Sequence, residues 1–230
     1  MPRKPAPEAG KEGSGAPATR VLSVHVGRPR EVSWERGTAT TSIFKAPVEG
    51  RVAVRRTNLD GDRQSDLSVH GGPEKAVYAY PSEHYPFWRR ELPGTELPFG
   101  AFGENLTLLG LLEDDVRIGD RLRMGTAELV VTQPRVPCFK LGIRLGRPDV
   151  IRRFEESGRS GFYLSVAREG DVAKGDPVLR VARDPHGLTV ADVFGLIRAE
   201  APDRDLLRRA SEHPALAVGW RDRFRKRLEG

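Results

Sequence analysis

Short runs of alternating apolar and polar residues, separated by glycine, proline and aspartate, dominate the chain from Val21 to about Arg183. Alternation with a period of two is typical of strands that bury one face. Two segments each place a Gly-Asp turn before such a run, as happens where a small barrel turns a corner: 116–122 and 172–178. The alternating runs predict short strands at 22–26, 52–54, 76–80, 106–109, 128–131 and 162–166.

Two helices are predicted between these strands. One begins near Ser82, a good N-cap followed by an acidic residue, and runs towards Leu92. The other begins near Pro148 and Asp149 and stops at Gly158. Strands joined irregularly, with few helices, favour a closed or half-closed β-barrel over a doubly wound sheet. The predicted fold class is therefore mainly β with α, with a barrel-like domain over residues 21–183.

After Arg183 the pattern becomes helical. A capping box at 189–192 opens the first of three predicted helices, and apolar residues follow it at helical spacing. Residues 184–230 are therefore predicted to form a small three-helix domain. The last helix carries Trp220, Phe224 and Leu228 every four residues and many arginines elsewhere. A DNA-reading helix is one interpretation; we favour a solvated basic face docked through these three apolar residues.

Composition narrows the classes of protein. Residues 1–20 are rich in proline, glycine, alanine and charge, which predicts a disordered leader without the apolar core of a signal peptide. No run is long enough for a membrane span. The single cysteine excludes an internal disulfide, a cysteine-ligated iron–sulfur cluster and a multi-cysteine zinc site within this chain. We expect a cytoplasmic protein.

The net charge of +6 and the pI near 9.8 permit contact with anions. Basic residues are dispersed among acidic ones, so nucleic acid is not expected as the main ligand. A phosphorylated cofactor is the other candidate.

Cys138 stands in the segment QPRVPCFK, residues 133–140, between two prolines and two cations. The prolines restrict the backbone, and Arg135 and Lys140 favour thiolate over thiol if they also lie close in space. A thiolate is a nucleophile and a soft metal ligand, so a reactive role is one interpretation. A free cysteine that only fills space in the core is the other.

Three further polar segments are unusual for turns. Lys45 lies between apolar residues and a proline, where a lysine can reach an anion or simply end a strand. A long polar stretch from Asn58 leads to His70-Gly71-Gly72-Pro73-Glu74-Lys75, whose glycines allow backbone amides to approach a ligand. In the third segment, Glu104 and Asn105 can hydrogen-bond a heterocycle edge or cap a turn.

Several common site motifs are missing. The sequence has no GxxxxGK[ST], GxGxxG, HExxH or serine elbow, and its five histidines are not spaced as a zinc pair. One soft thiolate among basic groups and glycine turns suits a metal carried by a phosphorylated organic cofactor, to which the protein adds one ligand.

Taken together, these segments resemble the MOSC domain family, and its YiiM branch in particular. The resemblance extends over nearly everything after residue 20 and includes the three-helix tail. It rests on SIFK at 42–45, NLDGD at 58–62, the stretch 66–75 with HGG, FGEN at 102–105, QPR leading to Cys138, and RSGFY at 159–163.

The resemblance implies a barrel-like fold that binds a molybdenum cofactor (molybdopterin), with Cys138 as the molybdenum ligand. Asn105 would lie near the metal, and Cys138, Asn105 and His70 form the implied catalytic set. The residues implied for cofactor binding are Lys45, Asn58, His70, Gly71, Gly72, Lys75, Glu104, Asn105, Arg135 and Cys138.

The activity implied for this branch is reduction of N-hydroxylated compounds, such as hydroxylaminopurine-type bases, to amines. A separate electron-donor protein is implied, because one cysteine cannot hold an iron–sulfur cluster. Three alternatives stay open: a carrier of the cofactor or of sulfur, a cysteine hydrolase using His70 as base, and a DNA-binding regulator. The sequence leaves the oligomeric state and the physiological substrate open.

Overall fold

The computed structural model describes residues 19–65 and 71–230. Thirteen strands are present in this part of the chain. In chain order they are β1 Arg20–Val26, β2 Arg30–Trp34, β3 Gly37–Thr41, β4 Ala46–Pro47, β5 Val52–Arg55, β6 Asn58–Leu59, β7 Val77–Pro81, β8 Leu106–Leu109, β9 Arg121–Met124, β10 Ala127–Pro134, β11 Phe162–Arg168, β12 Gly170–Val172 and β13 Val178–Ala182.

Eight of these strands form one sheet in the order β13-β9-β10-β11-β7-β8-β1-β4. All neighbours in it are antiparallel except β7 and β8, which are parallel. Strands β12, β5 and β6 form a three-stranded sheet, and β2 and β3 form a separate hairpin. The mixed order follows from the helices and loops that separate β7, β8 and β9 along the chain.

The large sheet curls so that the start of β13 and the turn before it meet β1, although the strand ladder is not closed. The Val21 amide donates to Asp176 O at 2.9 Å, and Gly175 N donates to Val21 O at 2.8 Å. A third backbone bond runs from Val178 N to Thr19 O at 2.9 Å. The predicted fold class, a mainly β, barrel-like domain followed by helices, is confirmed.

The two Gly-Asp segments form the same turn. Asp120 Oδ2 accepts from the amide of Arg117 at 3.1 Å, and Asp176 Oδ2 accepts from the amide of Ala173 at 2.8 Å. The glycine before each aspartate has a φ near +90°, a conformation that favours glycine. Each turn leads towards a strand of the large sheet, β9 or β13, as the repeat predicted.

Six α-helices occur in the described residues. Asp149 and Gly158 flank α3 as predicted, and Gly158 ends it in the left-handed conformation. Ser82 does not act as an N-cap, because it starts a 3-10 turn that precedes α1. The helices are α1 Tyr85–Glu91, α2 Phe139–Leu145, α3 Val150–Ser157, α4 Val190–Arg198, α5 Arg204–Glu212 and α6 Val218–Glu229.

The barrel-like sheet and the C-terminal helices share one hydrophobic core. Sheet residues such as Leu129 and Val131 belong to the same buried cluster as Val193 of α4, Leu207 of α5 and Phe224 of α6. Fully burying one such side chain contributes roughly 1.5–3 kcal/mol to the free energy of unfolding. A second, aromatic cluster packs α1 and α3 against β7 around Tyr80, Trp88, Phe102 and Phe154.

Helix α6 docks as predicted, with Phe224 buried and with Trp220 and Leu228 packed against the same core. Two of its arginines are engaged within the protein. Arg225 pairs with Asp222 at 2.8 Å, and Arg227 donates to backbone carbonyls of α4 and of its C-terminal end. This intramolecular pairing agrees with the interpretation of a docked, solvated face.

Some sequence predictions fall outside the described residues. The leader lies almost wholly in residues 1–18, and His70 belongs to the segment 66–70. The domain boundary at 183/184 stays a prediction. Within residues 19–65 and 71–230, no helix combines the length and apolar character required to span a membrane.

His25 on β1 is buried, and it is held in its neutral form. Its Nε2 atom lies 3.0 Å from Ser23 Oγ, while Nδ1 has no hydrogen-bond partner among the described residues. Burial lowers the pKa of His25, and the opposing effect of Glu104 is smaller. Between this lowered pKa and about 6.5, the unfolded chain binds a proton that the folded chain does not. The free energy of unfolding therefore falls as the pH falls through this window.

We expect acidification from about pH 8 to about pH 5.5 to destabilise the wild type more than the His25→Gln variant, by on the order of 1 kcal/mol. Urea denaturation at both pH values measures the difference. Each protein serves as its own reference at the higher pH, where the imidazole is neutral folded or unfolded. Equal losses in the two proteins would show that His25 does not carry this pH dependence.

Candidate functional site

A narrow cleft opens between the β3–β4 connection, the loop after β6 and the segment that follows β10. It encloses about 100 Å³, and the described residues that line it include five cationic side chains and one carboxylate. Four predicted cofactor residues and the cysteine meet here: Lys45, Lys75, Asn105, Arg135 and Cys138. The described residues that complete the lining are Thr41, Ser42, Ile43, Asp62, Arg63, Gln64, Ser65, Tyr78, Gly103, Val136, Lys140 and Tyr163.

Cys138 sits where strand becomes helix. Strand β10 ends at Pro134, and Cys138 is the residue immediately before α2, with extended backbone angles. Cys138 is half-buried and lines the cleft, and it is the free cysteine of the chain. The residue therefore borders a polar cavity and does not belong to the buried apolar core.

The carboxylate of Asp62 connects several residues at the wall of the cleft through hydrogen bonds. Its Oδ1 atom accepts from the ammonium of Lys45 at 2.5 Å and from the amide of Gly27 at 2.7 Å. Its Oδ2 atom accepts from Asn105 Nδ2 at 2.9 Å. Burial lowers the pKa of Lys45, while the neighbouring carboxylate acts in the opposite direction. This buried carboxylate is itself fixed by three donors, so it holds the side chain of Lys45 in place at the cleft.

Asn105 lines the cleft, yet its amide serves the protein itself. Its Oδ1 atom accepts from Tyr78 N at 3.1 Å, and Nδ2 donates to His25 O as well as to Asp62. The side chain thus ties β1, β7 and the loop after β6 together. Its predicted catalytic role stays a prediction; the role its contacts support is positioning.

Arg135 is buried, and its charged group lies against aromatic rings. The guanidinium carbon is 5.1 Å from the ring centre of Tyr78 and 5.4 Å from that of Phe154. Burial raises the pKa of Tyr78 and Tyr163, so both phenols stay protonated. Tyr78 donates its hydroxyl to Ser160 O at 2.8 Å.

Two buried polar atoms in this region lack a partner among the described residues, Arg135 Nη1 and Ser42 Oγ. Buried donors are normally satisfied, so both atoms fit a bound ligand that supplies acceptors. An excess of cations around them fits a phosphate. The half-buried thiol adds one soft ligand for a metal. This donor set fits a phosphorylated cofactor that carries a metal.

The cleft is smaller than the roughly 300–1,000 Å³ of a pocket that encloses a whole ligand. It would therefore hold one end of such a cofactor and leave the remainder outside this cavity.

Glu104 lies outside this group. It is fully buried and accepts from Gly100 N at 2.7 Å, Phe102 N at 3.1 Å and Thr107 Oγ1 at 3.0 Å, as well as from the Tyr85 hydroxyl. A carboxylate with four donors organises the loop before β8. Its side-chain hydrogen bonds among the described residues all stay within this loop and its neighbours, so its predicted cofactor role stays a prediction.

The remaining predicted residues are spread around the cleft. Asn58 donates to Asp62 O at 3.1 Å and so supports the loop from behind. Gly71 lines a second, neighbouring cleft. Gly72 has a φ of 94° and accepts through its carbonyl from Lys75 N, which starts the 3-10 turn Pro73–Lys75. His70 lies outside the described residues.

Comparison with known proteins identifies the family. The family model "MOSC domain" matches residues 66–179, and "YiiM-like, 3-alpha helix domain" matches residues 188–230. YflK of Bacillus subtilis is 38% identical over 91% of this chain and 94% of its own length. The chain belongs to the MOSC domain family, in its YiiM-like branch. The implied relationship is thereby confirmed.

Other YiiM-like proteins agree with this assignment. YiiM of Escherichia coli is 35% identical over 83% of this chain and 86% of its own length. The crystal structure of YiiM from Geobacillus stearothermophilus matches with a TM-score of 0.77 at 38% identity, covering 91% of this chain and 99% of that one. A Gibberella moniliformis protein named "Reductase" is 34% identical over 84% of this chain, which spans only 35% of the fungal protein.

Substitution of Glu104 distinguishes a role in stabilising the fold from a role in binding the cofactor. In Glu104→Gln an amide N–H replaces one oxygen and must face backbone or hydroxyl donors, so we expect a loss of about 1–3 kcal/mol in the free energy of unfolding. Chemical denaturation measures it, with the exposed Glu96→Gln as matched control, expected within about 0.5 kcal/mol of wild type. Unchanged stability combined with lost molybdenum would instead assign Glu104 to the cofactor.

Proposed function

We propose that this MOSC protein is a molybdenum cofactor-dependent reductase that converts N-hydroxylated compounds to amines. The observation that carries the proposal is half-buried Cys138 in a cationic cleft that also includes Arg135, whose buried Nη1 has no partner among the described residues. Membership of the MOSC family supports a molybdenum cofactor as the ligand. The fungal relative named as a reductase supports redox chemistry.

Different residues of the cleft would hold different parts of such a cofactor. Cys138 would ligate the molybdenum through its sulfur. Lys45, held by Asp62, and Arg135, packed between rings, would hold the phosphate and the polar edge of the pterin. Because these cations are positioned by buried contacts, they lose little conformational freedom when the anion binds.

The overall reaction breaks the N–O bond of a hydroxylamine group. Two electrons and two protons are consumed, the nitrogen becomes an amine and the oxygen leaves as water. The cofactor would supply the redox-active metal that takes the oxygen atom from nitrogen. The electrons would come from a separate reductant protein, since one cysteine cannot ligate an iron–sulfur cluster. A cytoplasmic location belongs to this proposal as well.

Cys138→Ala tests the ligand role. In protein made in a host that synthesises the cofactor, we expect turnover of a hydroxylamine with an artificial electron donor to fall more than about 100-fold. Even residues that only support metal ligands are worth about 10–100-fold. Thermal unfolding of the variant should match that of wild type, since the thiol is only half-buried.

The same assay separates the rival functions. Bound molybdenum without turnover in wild type would favour a carrier of the cofactor. Full activity of a metal-free preparation would favour a cysteine hydrolase. Normal reduction by Cys138→Ala would remove the sulfur from the mechanism.

Lys45→Met tests whether this cleft holds the phosphate. A hydrogen bond to a charged group is worth about 1.5–3 kcal/mol, so we expect the cofactor to be lost at least about ten times more readily. The molybdenum-to-protein ratio after gel filtration measures retention. Lys174→Met, at an exposed lysine of the turn before β13, is the matched control. Equal retention in the two variants would place the phosphate elsewhere.

A further inference from the structure

A second cleft meets the first one at Cys138. It encloses about 520 Å³ and shares four lining residues with the first cleft, where we propose that the cofactor binds: Lys75, Val136, Cys138 and Tyr163. Its far wall comes from helix α6, through Gly219, Trp220 and Arg223. Cys138 thus borders two cavities, one narrow and cationic and one large enough for a whole small molecule.

Helix α6 is held against the barrel by specific hydrogen bonds. Its first residue, Val218, donates its amide to Glu74 Oε1 at 2.9 Å, and the preceding Ala217 amide donates to Thr132 O at 3.2 Å. The indole N–H of Trp220 donates to Gln133 Oε1 at 2.9 Å. Thr132 and Gln133 lie on β10, the strand that precedes Cys138 in the chain. Helix α6 and Cys138 are therefore both held in place by β10.

The wall that α6 forms presents an aromatic ring and a positive charge to the second cleft. Trp220 is half-buried with its N–H occupied, so its contribution to a ligand is the indole surface. The guanidinium of Arg223 lies 5.4 Å from the centre of that ring and is exposed at the cleft. An aromatic surface suits a planar heterocycle, and an arginine suits a phosphate.

We infer that the second cleft is the substrate site and that it accepts N-hydroxylated purine-type bases as nucleotides. This inference rests on the proposed function. The reacting nitrogen must reach the metal end of the cofactor at Cys138, so the base would enter beside Trp220. The phosphate would then remain at the exposed side of the cleft, where Arg223 binds it. The C-terminal helices thereby take part in substrate recognition.

Adenosine monophosphate, adenosine and adenine are non-reacting probes of this cleft. We expect calorimetric titration of full-length, cofactor-loaded protein to show the monophosphate binding about ten-fold or more tighter than adenosine, since one phosphate–arginine contact is a charge-assisted bond. In Arg223→Gln this difference should disappear. Lys226→Gln, which removes one positive charge from an exposed residue of the same helix, should retain it.

A steric variant tests the location without changing charge. A Cβ added at Gly219 meets no atom of residues 19–65 or 71–230 within 4 Å, so Gly219→Leu extends a side chain from the cleft wall into open space. We expect it to weaken binding of all three probes. Gly195→Leu makes the same change at an exposed, open position of α4 and should bind like wild type.

Three results would overturn the inference: equal affinities for the monophosphate and adenosine, a phosphate preference that survives in Arg223→Gln, or unchanged binding in Gly219→Leu. Because the probes are not reduced, these measurements do not depend on turnover. Failure of wild type to reduce any hydroxylamine would instead contradict the proposed function, whatever the probes show.

Discussion

The arrangement of the cleft depends on one buried carboxylate. Asp62 accepts three hydrogen bonds, from the Lys45 ammonium, the Gly27 amide and the Asn105 side chain. These donors come from three different parts of the chain, so a single anion joins the loop after β6 to the strands that frame the cavity. It also compensates one buried cation next to the region where an anionic ligand is expected. Removing its charge would disturb the wall and the ligand site together.

The position of Cys138 follows from the surrounding fold. Strand β10 lies inside the large sheet between β9 and β11, and its end carries the chain directly to the cysteine. A short proline-containing segment and helix α2 then hold the sulfur half-exposed between two cavities. Cys138 therefore lies in a short segment held at both ends, by β10 and by α2, which is a more rigid support than a long loop provides.

Local signals in the sequence revealed part of this site. Alternation and turn residues predicted the mainly β fold, and the capping box of α4 is formed as predicted. Cys138 was recognisable because prolines and cations surround it in sequence. Its meeting with Lys45 followed only from the family resemblance, since strand pairing across a barrel is not encoded in short segments.

Other features had no usable local signal. Asp62 appeared as one aspartate in a polar turn, and its three donors lie 17, 35 and 43 residues away. Helix α2 has only seven residues, includes a glycine and follows two prolines, so helical periodicity could not identify it. The cofactor role predicted for Glu104 came from the family resemblance, and nothing in the local sequence indicated that its carboxylate accepts four hydrogen bonds in the loop before β8.

The large sheet and the C-terminal helices share a single hydrophobic core, so we expect these two parts of the protein to move together. Phe224 and Leu207 belong to the same buried cluster as the strand that ends beside the sulfur. Loosening a distant helix would therefore change the shape of the cavity at the thiol as well as local order. Under the proposed function, sequence variation in the C-terminal helices would alter which molecules reach Cys138 without changing the residues proposed to hold the cofactor.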